Sequence, residues 1–306
     1  MLKKHYLRII GLVILVIFYL RWDFSLIVSH LKQVDILFFT GSIVCVNCVV
    51  LLQAWRGYIL LGREKGDLDF LSYARYYFVT MAASMASPGR VGAVTQIPLL
   101  YQRGISLGNG VANVIYDKLC DLTGFLAMGA VFTTMTERSR IVNPLLLGCL
   151  FGLTMFAMWY LDSIFAFGIR WVERVYPKFN GIRYMKRPEL ESHTKIAALN
   201  LTLVRLFGAV GIHWFVATSL SMSFSLIQLA AAAALGALST LLPVSIMGVG
   251  LRESVFLLLL SGYGYTAEQL LTFAFLVLMA YLSTILVGIG VALASGRRED
   301  SGKLKP

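Results

Sequence analysis

The sequence has few charged residues and many apolar ones. Of its 306 residues, 14% are charged and 58% are hydrophobic, and the mean hydropathy is +0.75. A soluble domain has about 45–50% apolar and about 25% charged residues. The composition therefore excludes an ordinary soluble enzyme, a disordered chain and a secreted disulfide scaffold, and it indicates a membrane protein.

Cysteine is also scarce. Four cysteines occur, at positions 45, 48, 120 and 149. Cys45 and Cys48 form a C-x-x-C pattern, which in other contexts indicates a zinc or redox site. Here the pattern lies in an apolar stretch without a second ligand pair, so we interpret both thiols as small buried residues on one helix face.

The motifs of covalent chemistry are missing from the sequence. It contains no G-x-S-x-G elbow, no P-loop and no histidine pair at metal-ligand spacing. Gly248 and Gly250 follow no predicted strand and lack the third glycine of a dinucleotide fingerprint. The longest polar loop, about 34 residues over 162–195, is too short for a catalytic domain. We therefore expect no enzymatic activity, no metal and no cofactor.

Positive charge is in excess. The chain has 27 Lys and Arg against 16 Asp and Glu, which gives a formal charge of +11. In a soluble protein this excess suggests nucleic acid, but in a membrane protein basic residues first report orientation. They cluster at the N-terminus, over 56–75, over 162–195 and after residue 293. We place these clusters inside, so we expect a cell-membrane protein with cytoplasmic termini, a basic cytoplasmic loop at 162–195 and no nucleic acid partner.

Long apolar runs are abundant. A helix needs about 20 mostly apolar residues to cross about 30 Å of hydrocarbon. Six stretches approach or exceed that length: about 6–22, 36–61, 110–135, 144–162, 196–220 and 267–293. The first follows basic residues as a signal peptide does, but no A-x-A-like cleavage site comes after it. We interpret it as a retained span.

Two further apolar regions, 70–107 and 224–263, are interrupted by proline and glycine. Pro88 begins the break in the first, and the segment 243–250 breaks the second. The orientation requires each region to cross the membrane an even number of times, so each is either two thin spans or a re-entrant loop. Proline and glycine permit sharp turns, and irregular backbone at membrane depth is tolerated where it lines a cavity. These considerations favour re-entrant hairpins.

The order of these elements occurs twice. A first repeat over about 36–135 reads span, hairpin, span, and a second over about 196–293 reads the same with reversed sidedness. Inverted repeats with broken helices are typical of transporters, whose sites lie near the midplane at the repeat interface. We expect one all-α integral membrane domain over 1–306, with about six full spans and two oppositely oriented re-entrant hairpins. The alternative is that proline and glycine merely kink ordinary spans.

Ionisable residues within the predicted spans are costly, so they are candidates for function. They are Arg90, Asp117, Lys118, Asp121, Arg205, Arg252 and Glu253. Arg90, which follows Gly89, and Arg252 lie beside the helix breaks, where freed N–H groups and a planar guanidinium suit a phosphate. We expect both to bind a lipid headgroup. The alternative for Arg252 is a structural pair with an internal carboxylate such as Asp117 or Asp121.

Asp117 and Asp121 are four residues apart and share a helix face. Two functional roles are open, as counter-ions to Arg90 or as ligands of a cationic headgroup. The alternative is an interfacial pair beside Lys118, whose ammonium reaches water.

Arg205 lies too deep in its span to be unpaired, so we expect a partner for it. Gly208 and Gly211 follow on roughly the same face, which predicts a packing face. His213 is interpreted as an interior histidine whose hydrogen-bonding needs are met.

A helix is predicted to start near Leu251. Gly248 and Gly250 permit the turn before it. Glu253 falls in its first turn, where a carboxylate complements the helix dipole. Both glycines and Glu253 are also candidates for the binding site.

Two blocks of sequence resemble a known family. The first comprises Ser87–Gly92, Leu99–Gly104 and Asn109–Leu122, and the second is Leu241–Glu253, with Leu-Pro, then Gly-x-Gly, then Arg-Glu. They are similar to two blocks of the lysylphosphatidylglycerol synthase transmembrane-region family, the flippase-like domain. The resemblance covers about 5–295.

The resemblance implies a lipid flippase domain that moves an anionic aminoacylated, glycosylated or polyprenyl-linked phospholipid between leaflets. It implies a re-entrant site lined by Pro88, Gly92, Pro243, Gly248, Gly250, Arg252 and Glu253. The first block departs from the family pattern, which often has Glu where this chain has Val91 or Ala93. The aminoacyl-transferase domain of the full synthases is missing, so a separate lipid synthase or a second copy of the chain is an expected partner. The alternatives are a headgroup-modifying membrane enzyme and a non-transporting partner in envelope lipid synthesis.

Overall fold

The computed structural model describes residues 24–87, 89–136, 143–175, 190–242 and 248–302. All regular secondary structure in these ranges is helical, which confirms the all-α prediction. The predicted span 6–22 and the prolines Pro88 and Pro243 lie outside the described residues.

The described ranges hold ten α-helices, α1 to α10. In chain order they are Phe24–Lys32, Ile36–Leu60, Phe70–Met85, Gln96–Tyr101, Leu107–Thr134, Pro144–Val175, Ser192–Ser219, Leu226–Ser239, Leu251–Leu260 and Ala267–Gly302. Two 3-10 turns, Gly62–Lys65 and Val91–Thr95, precede α3 and α4. Helix α1 lies outside the predicted spans, and α6 continues through Val175, past the predicted span end at about 162.

Four helical segments are long and apolar enough to cross a membrane. They are α2, Pro144–Leu161 of α6, α7, and Ala267–Ala294 of α10. Helix α5 has 28 residues, as many as α7, but its charged residues Asp117, Lys118 and Asp121 make it less apolar. Each span predicted after residue 36 therefore corresponds to one long helix.

Polar side chains fix where helices begin. Asp35 accepts a hydrogen bond from Leu37 N at 2.8 Å at the start of α2. Before α8, Ser225 Oγ accepts from Gln228 N at 3.2 Å, and Gln228 Oε1 accepts from Ser225 N at 2.9 Å. These bonds satisfy backbone donors that a helix start leaves without partners.

The two interrupted regions are helical hairpins. Hairpin 1 consists of α3 followed by Val91–Tyr101, and hairpin 2 consists of α8 followed by α9. Helix α3 has 16 residues, α8 has 14 and α9 has 10. All are shorter than the about 20 residues that cross a membrane. None of these legs is long enough to be a full span on its own.

The two halves of the chain pack by a matching set of contacts. Helix α2 packs along its counterpart α7. Helix α3 of hairpin 1 packs against α10, and α8 of hairpin 2 packs against α5, so each hairpin lies on the last long helix of the other half. Helix α2 also contacts α10, and α7 contacts α5. The halves therefore interlock through their hairpins.

The tip of hairpin 1 is held against α3. Ser84 Oγ donates to Arg90 O at 3.2 Å, and Gly92 N donates to Ser87 Oγ at 2.6 Å. Arg90 has a φ of +58°, a left-handed conformation that costs a residue with a Cβ roughly 1–2 kcal/mol. A Cβ on Gly92 would lie 2.1 Å from Ala83 O. Glycine is therefore required for this close approach.

We expect Gly92→Ala to destabilise the protein, because the added methyl group must push the return segment away from Ala83. Overpacking of this kind costs about 1–3 kcal/mol, so the melting temperature of the detergent-purified chain should fall. Gly152→Ala in α6 is the matched control, since a Cβ there meets nothing within 4 Å. Equal melting temperatures for the two variants would contradict the close approach.

Candidate functional site

A buried arginine joins three helices. Arg56 of α2 is 1% exposed, and its Nη2 lies 2.6 Å from Asp117 Oδ1 and 2.6 Å from Asp121 Oδ1 on α5. Its Nη1 donates to Thr202 Oγ1 of α7 at 3.0 Å. A lone charge at this depth would cost several kcal/mol, and removing either carboxylate would leave the guanidinium poorly compensated. One guanidinium therefore holds α2, α5 and α7 together.

The prediction that Arg56 is one of the loop charges of 56–75 is wrong, because Arg56 is buried within α2. It also lies within the predicted span 36–61, and that overlap is the signal that it belongs to the interior. Lys195, predicted in the basic loop, is 5% exposed, with its Nζ 3.2 Å from Trp159 O. Part of the positive charge attributed to orientation is therefore buried.

The carboxylates of the two aspartates of α5 form hydrogen bonds and ion pairs with neighbouring side chains. Asp117 Oδ2 accepts from Tyr77 OH at 2.9 Å and from Lys118 Nζ at 3.1 Å. Asp121 Oδ2 lies 3.9 Å from Lys118 Nζ, and the Lys118 side chain is 31% exposed. Within the described residues, neither carboxylate pairs with Arg90.

Arg205 has the partner that its depth in the span predicts. Its Nη1 lies 3.3 Å from Asp121 Oδ1, and its guanidinium carbon lies 4.6 Å from the centroid of the Phe125 ring. The Gln53 amide, turned with its oxygen toward Arg205, accepts from Nε at 2.7 Å and from Nη2 at 3.0 Å. Together with their neighbours these residues form a charge cluster, which consists of Arg56, Asp117, Lys118, Asp121 and Arg205.

The predicted glycine face of α7 packs closely on α2. A Cβ on Gly208 would lie 2.4 Å from Val49 Cγ2, and one on Gly211 would lie 3.5 Å from Cys45 Sγ. Cys45 and Cys48 are both free thiols, and Cys48 is exposed. The prediction that both are buried is therefore wrong for Cys48, which lies on an outward side of α2.

The second sequence block builds a helix start. Helix α9 begins at Leu251, as predicted. Glu253 Oε2 accepts from Gly250 N at 2.6 Å, and its Oε1 lies 3.1 Å from Arg252 Nη2. Arg252 Nη2 also contacts Ala274 O of α10 at 3.5 Å, while Arg252 Nε makes no hydrogen bond within the described residues. The carboxylate that pairs with Arg252 is thus its own neighbour in the chain.

Glycines shape both hairpin tips. Gly89 has a φ of +59°, and Gly248 and Gly250 have φ values of +76° and +87°. Residues with a Cβ rarely adopt these values. The tips therefore place Arg90 and Arg252 at sharp turns, as the sequence predicts.

Three arginines line one cavity where the two halves meet. The cavity has a volume of about 40 Å³, which is room for about three water molecules. Arg90 enters it from hairpin 1, Arg205 from α7 and Arg252 from hairpin 2. The remaining polar lining consists of Gln53, His213, Thr240 and Tyr281. The Arg90 guanidinium makes no hydrogen bond or ion pair with any described residue.

His213 is an interior histidine, as predicted. Its Nδ1 lies 2.8 Å from Ala209 O. Its ring packs edge-on against Phe256, with 5.6 Å between centroids. The imidazole is therefore held in one orientation at the cavity wall.

Positive charge predominates at this site. The described lining of the cavity contains three arginines and neither Asp nor Glu. The cavity, the charge cluster and Glu253 together contain five basic residues against three carboxylates. Such a site attracts an anion.

A family model described as Lysylphosphatidylglycerol synthase TM region matches residues 7–288. The chain belongs to this family. None of the curated proteins compared with the chain matches it. The match includes both hairpins, so the cavity arginines lie within the part of the chain that defines the lysylphosphatidylglycerol synthase TM region. The resemblance stated from the two sequence blocks is confirmed.

The lysylphosphatidylglycerol synthase TM region of this chain brings only some of the predicted site residues together. Arg90, Arg205 and Arg252 meet at the cavity, whereas Asp117 is held away from it by Arg56 and Tyr77. The lining residues Gln53, Thr240 and Tyr281 were not predicted as site residues. Uncharged polar side chains are common in membrane helices, so they gave no signal.

We expect Arg56→Met to destabilise the protein strongly, because it leaves Asp117 and Asp121 buried with too few partners. Breaking a buried ion pair from one side costs about 3–5 kcal/mol. Arg63→Met is the matched control, since the Arg63 side chain is 92% exposed in its pair with Glu191 and such pairs contribute about 0–1 kcal/mol. Thermal unfolding in detergent gives the comparison. A similar, small loss in both variants would show that the charge cluster does not stabilise the fold.

Proposed function

We propose that this chain is a lipid translocase that binds the phosphate of an anionic headgroup between its two hairpin tips and moves the lipid between leaflets of the cell membrane. The candidate lipids are aminoacylated, glycosylated or polyprenyl-linked phospholipids. The observation that carries the proposal is the convergence of Arg90, Arg205 and Arg252 on one cavity.

Buried positive charge needs compensation. A charged side chain within a membrane is costly, and such residues mark substrate pathways. Asp121 and Gln53 compensate Arg205 in part, and Glu253 compensates Arg252. The Arg90 guanidinium has no such partner in the described residues. An oxyanion in the cavity supplies the missing acceptors, and the guanidinium fork suits phosphate geometry.

The architecture supports movement across the membrane. We propose that both hairpins are re-entrant, that they enter from opposite faces and that the two halves form an inverted repeat. The short legs and the matching contacts of the two halves support this arrangement. Transporters built this way bind substrate at the repeat interface and expose it to each side in turn. The position of the cavity between the two halves of the chain supports a site of this kind.

We propose transport rather than catalysis, because the described lining of the cavity offers no carboxylate, cysteine or serine. A lipid synthase that delivers or receives the lipid, and a second copy of this chain, are the proposed partners. The proposed orientation places both termini in the cytoplasm, since this side then carries most of the basic residues that lie between the predicted spans and at the two termini.

We expect Arg252→Ala and Glu253→Ala to lower the rate at which labelled anionic phospholipid crosses the bilayer of reconstituted vesicles. Charge-assisted hydrogen bonds contribute about 1.5–3 kcal/mol, so the loss should be about tenfold or more. Arg103→Ala is the control, because Arg103 lies away from the cavity and donates to Tyr76 OH at 2.6 Å. If wild-type protein moves no lipid, or if both variants retain full activity while folded, the proposed function is wrong.

The re-entrant arrangement predicts which face of the membrane each hairpin end contacts. In a cysteine-free background, single cysteines at Asp69 and Arg103, the ends of hairpin 1, should react with an impermeant maleimide from the cytoplasmic face only. Cysteines at Ser223 and Tyr263, the ends of hairpin 2, should react from the opposite face only. Ends of one hairpin that react from different faces would show that the region crosses the membrane an odd number of times, which excludes a re-entrant hairpin.

A further inference from the structure

We infer that the headgroup taken by this cavity carries phosphate but no ammonium group, so that a phosphate-terminated or carbohydrate-bearing lipid fits and an aminoacylated lipid does not. The inference rests on the proposed function and narrows its substrate class. It concerns which charges the cavity is able to pair.

The cavity offers no carboxylate to an ammonium group. Its described lining contains Arg90, Arg205 and Arg252, with amide, hydroxyl and imidazole groups but no Asp or Glu. An ammonium group placed here therefore meets three positive charges without a counter-ion. Like charges placed together in this way suppress binding of a wrong partner.

The carboxylates closest to the cavity are already in use. Asp121 Oδ1 lies 2.6 Å from Arg56 Nη2 and 3.3 Å from Arg205 Nη1. Glu253 uses one oxygen to cap α9 at Gly250 N and the other to pair with Arg252. Freeing either carboxylate for a ligand would leave a buried arginine without its partner, which is strongly unfavourable.

Aromatic rings do not replace the missing carboxylates. Proteins also bind ammonium groups in cages of aromatic faces. The described lining includes Phe125 and Tyr281, and the Phe125 face already lies 4.6 Å from the Arg205 guanidinium carbon. A single remaining ring does not make a cage.

We expect Arg90 to distinguish between headgroups of different charge. It lines the cavity from the tip of hairpin 1 and has no hydrogen bond or ion pair to a described residue. Its left-handed backbone, with a φ of +58°, is held by Ser84 and by the turn to Gly92. A phosphate that enters the cavity gains a full charge-assisted bond from Arg90 without displacing a partner.

The test compares three lipids with identical acyl chains: phosphatidate, phosphatidylglycerol and lysylphosphatidylglycerol. Binding to the full chain in detergent is measured by native mass spectrometry, and movement is measured with acyl-labelled versions in reconstituted vesicles. We expect the first two lipids to bind, and lysylphosphatidylglycerol to bind about tenfold or more weakly because of its ammonium groups. We expect the same order for movement.

Two variants assign the selectivity to the cavity. Arg90→Gln should weaken phosphatidate and phosphatidylglycerol binding about tenfold and reduce the discrimination against the lysyl lipid. Gln53→Glu, which adds a carboxylate at the cavity wall, should shift the preference toward the lysyl lipid. Arg103→Gln is the control for the loss of one arginine outside the cavity, and it should leave all three affinities unchanged.

The possible outcomes separate the inferred headgroup class from the proposed translocase function. Lysylphosphatidylglycerol binding as tightly as phosphatidylglycerol, or more tightly, would overturn the inference and leave the proposed function standing. Selective binding without movement of any lipid would overturn the translocase function and leave the headgroup class intact. Binding of none of the three lipids would overturn both.

Discussion

The fold depends on the burial of Arg56 between Asp117 and Asp121. Taking three charges out of water costs several kcal/mol for each ion, which is recovered only when the geometry is good and the remaining donors and acceptors are satisfied. Here Thr202 and Tyr77 complete the pairing. Because both carboxylates face Arg56, Asp121 compensates only Arg205 among the cavity arginines, and Asp117 compensates none of them. The pairing that stabilises the first half of the protein thus leaves the adjoining cavity positive.

The helices of the two halves make matching contacts, whereas their charges differ. Helices α5 and α10 occupy corresponding places in the two halves. Helix α5 carries three residues of the charge cluster, Asp117, Lys118 and Asp121, while α10 has no charged residue between Glu268 and Arg297. The three cavity arginines come from α7 and the two hairpins, whereas α5 contributes Phe125 and α10 contributes the uncharged Val277 and Tyr281.

Local features of the fold were predictable from the sequence, and long-range pairings were not. Gly250 and Glu253 indicate the start of α9 because a helix start has requirements that lie within four residues. The partner of Asp117 is Arg56, 61 residues earlier in the chain, and only tertiary packing decides which of several basic residues fills that place. Counting charges by segment placed Arg56 in a loop. Arg90 and Arg252 were predicted instead from their positions beside the proline- and glycine-containing breaks, and both line the cavity.

The cavity also indicates which parts of the site must move if it takes a lipid headgroup. At about 40 Å³ it holds only a few water molecules, so a headgroup enters only if the walls separate. Arg205 is fixed by Asp121, Gln53 and Phe125 on long helices. Arg90 and Arg252 lie instead on hairpin tips whose legs are short. Under the proposed function, the tips are therefore the parts that open, and Arg205 is the fixed point against which either tip holds the phosphate.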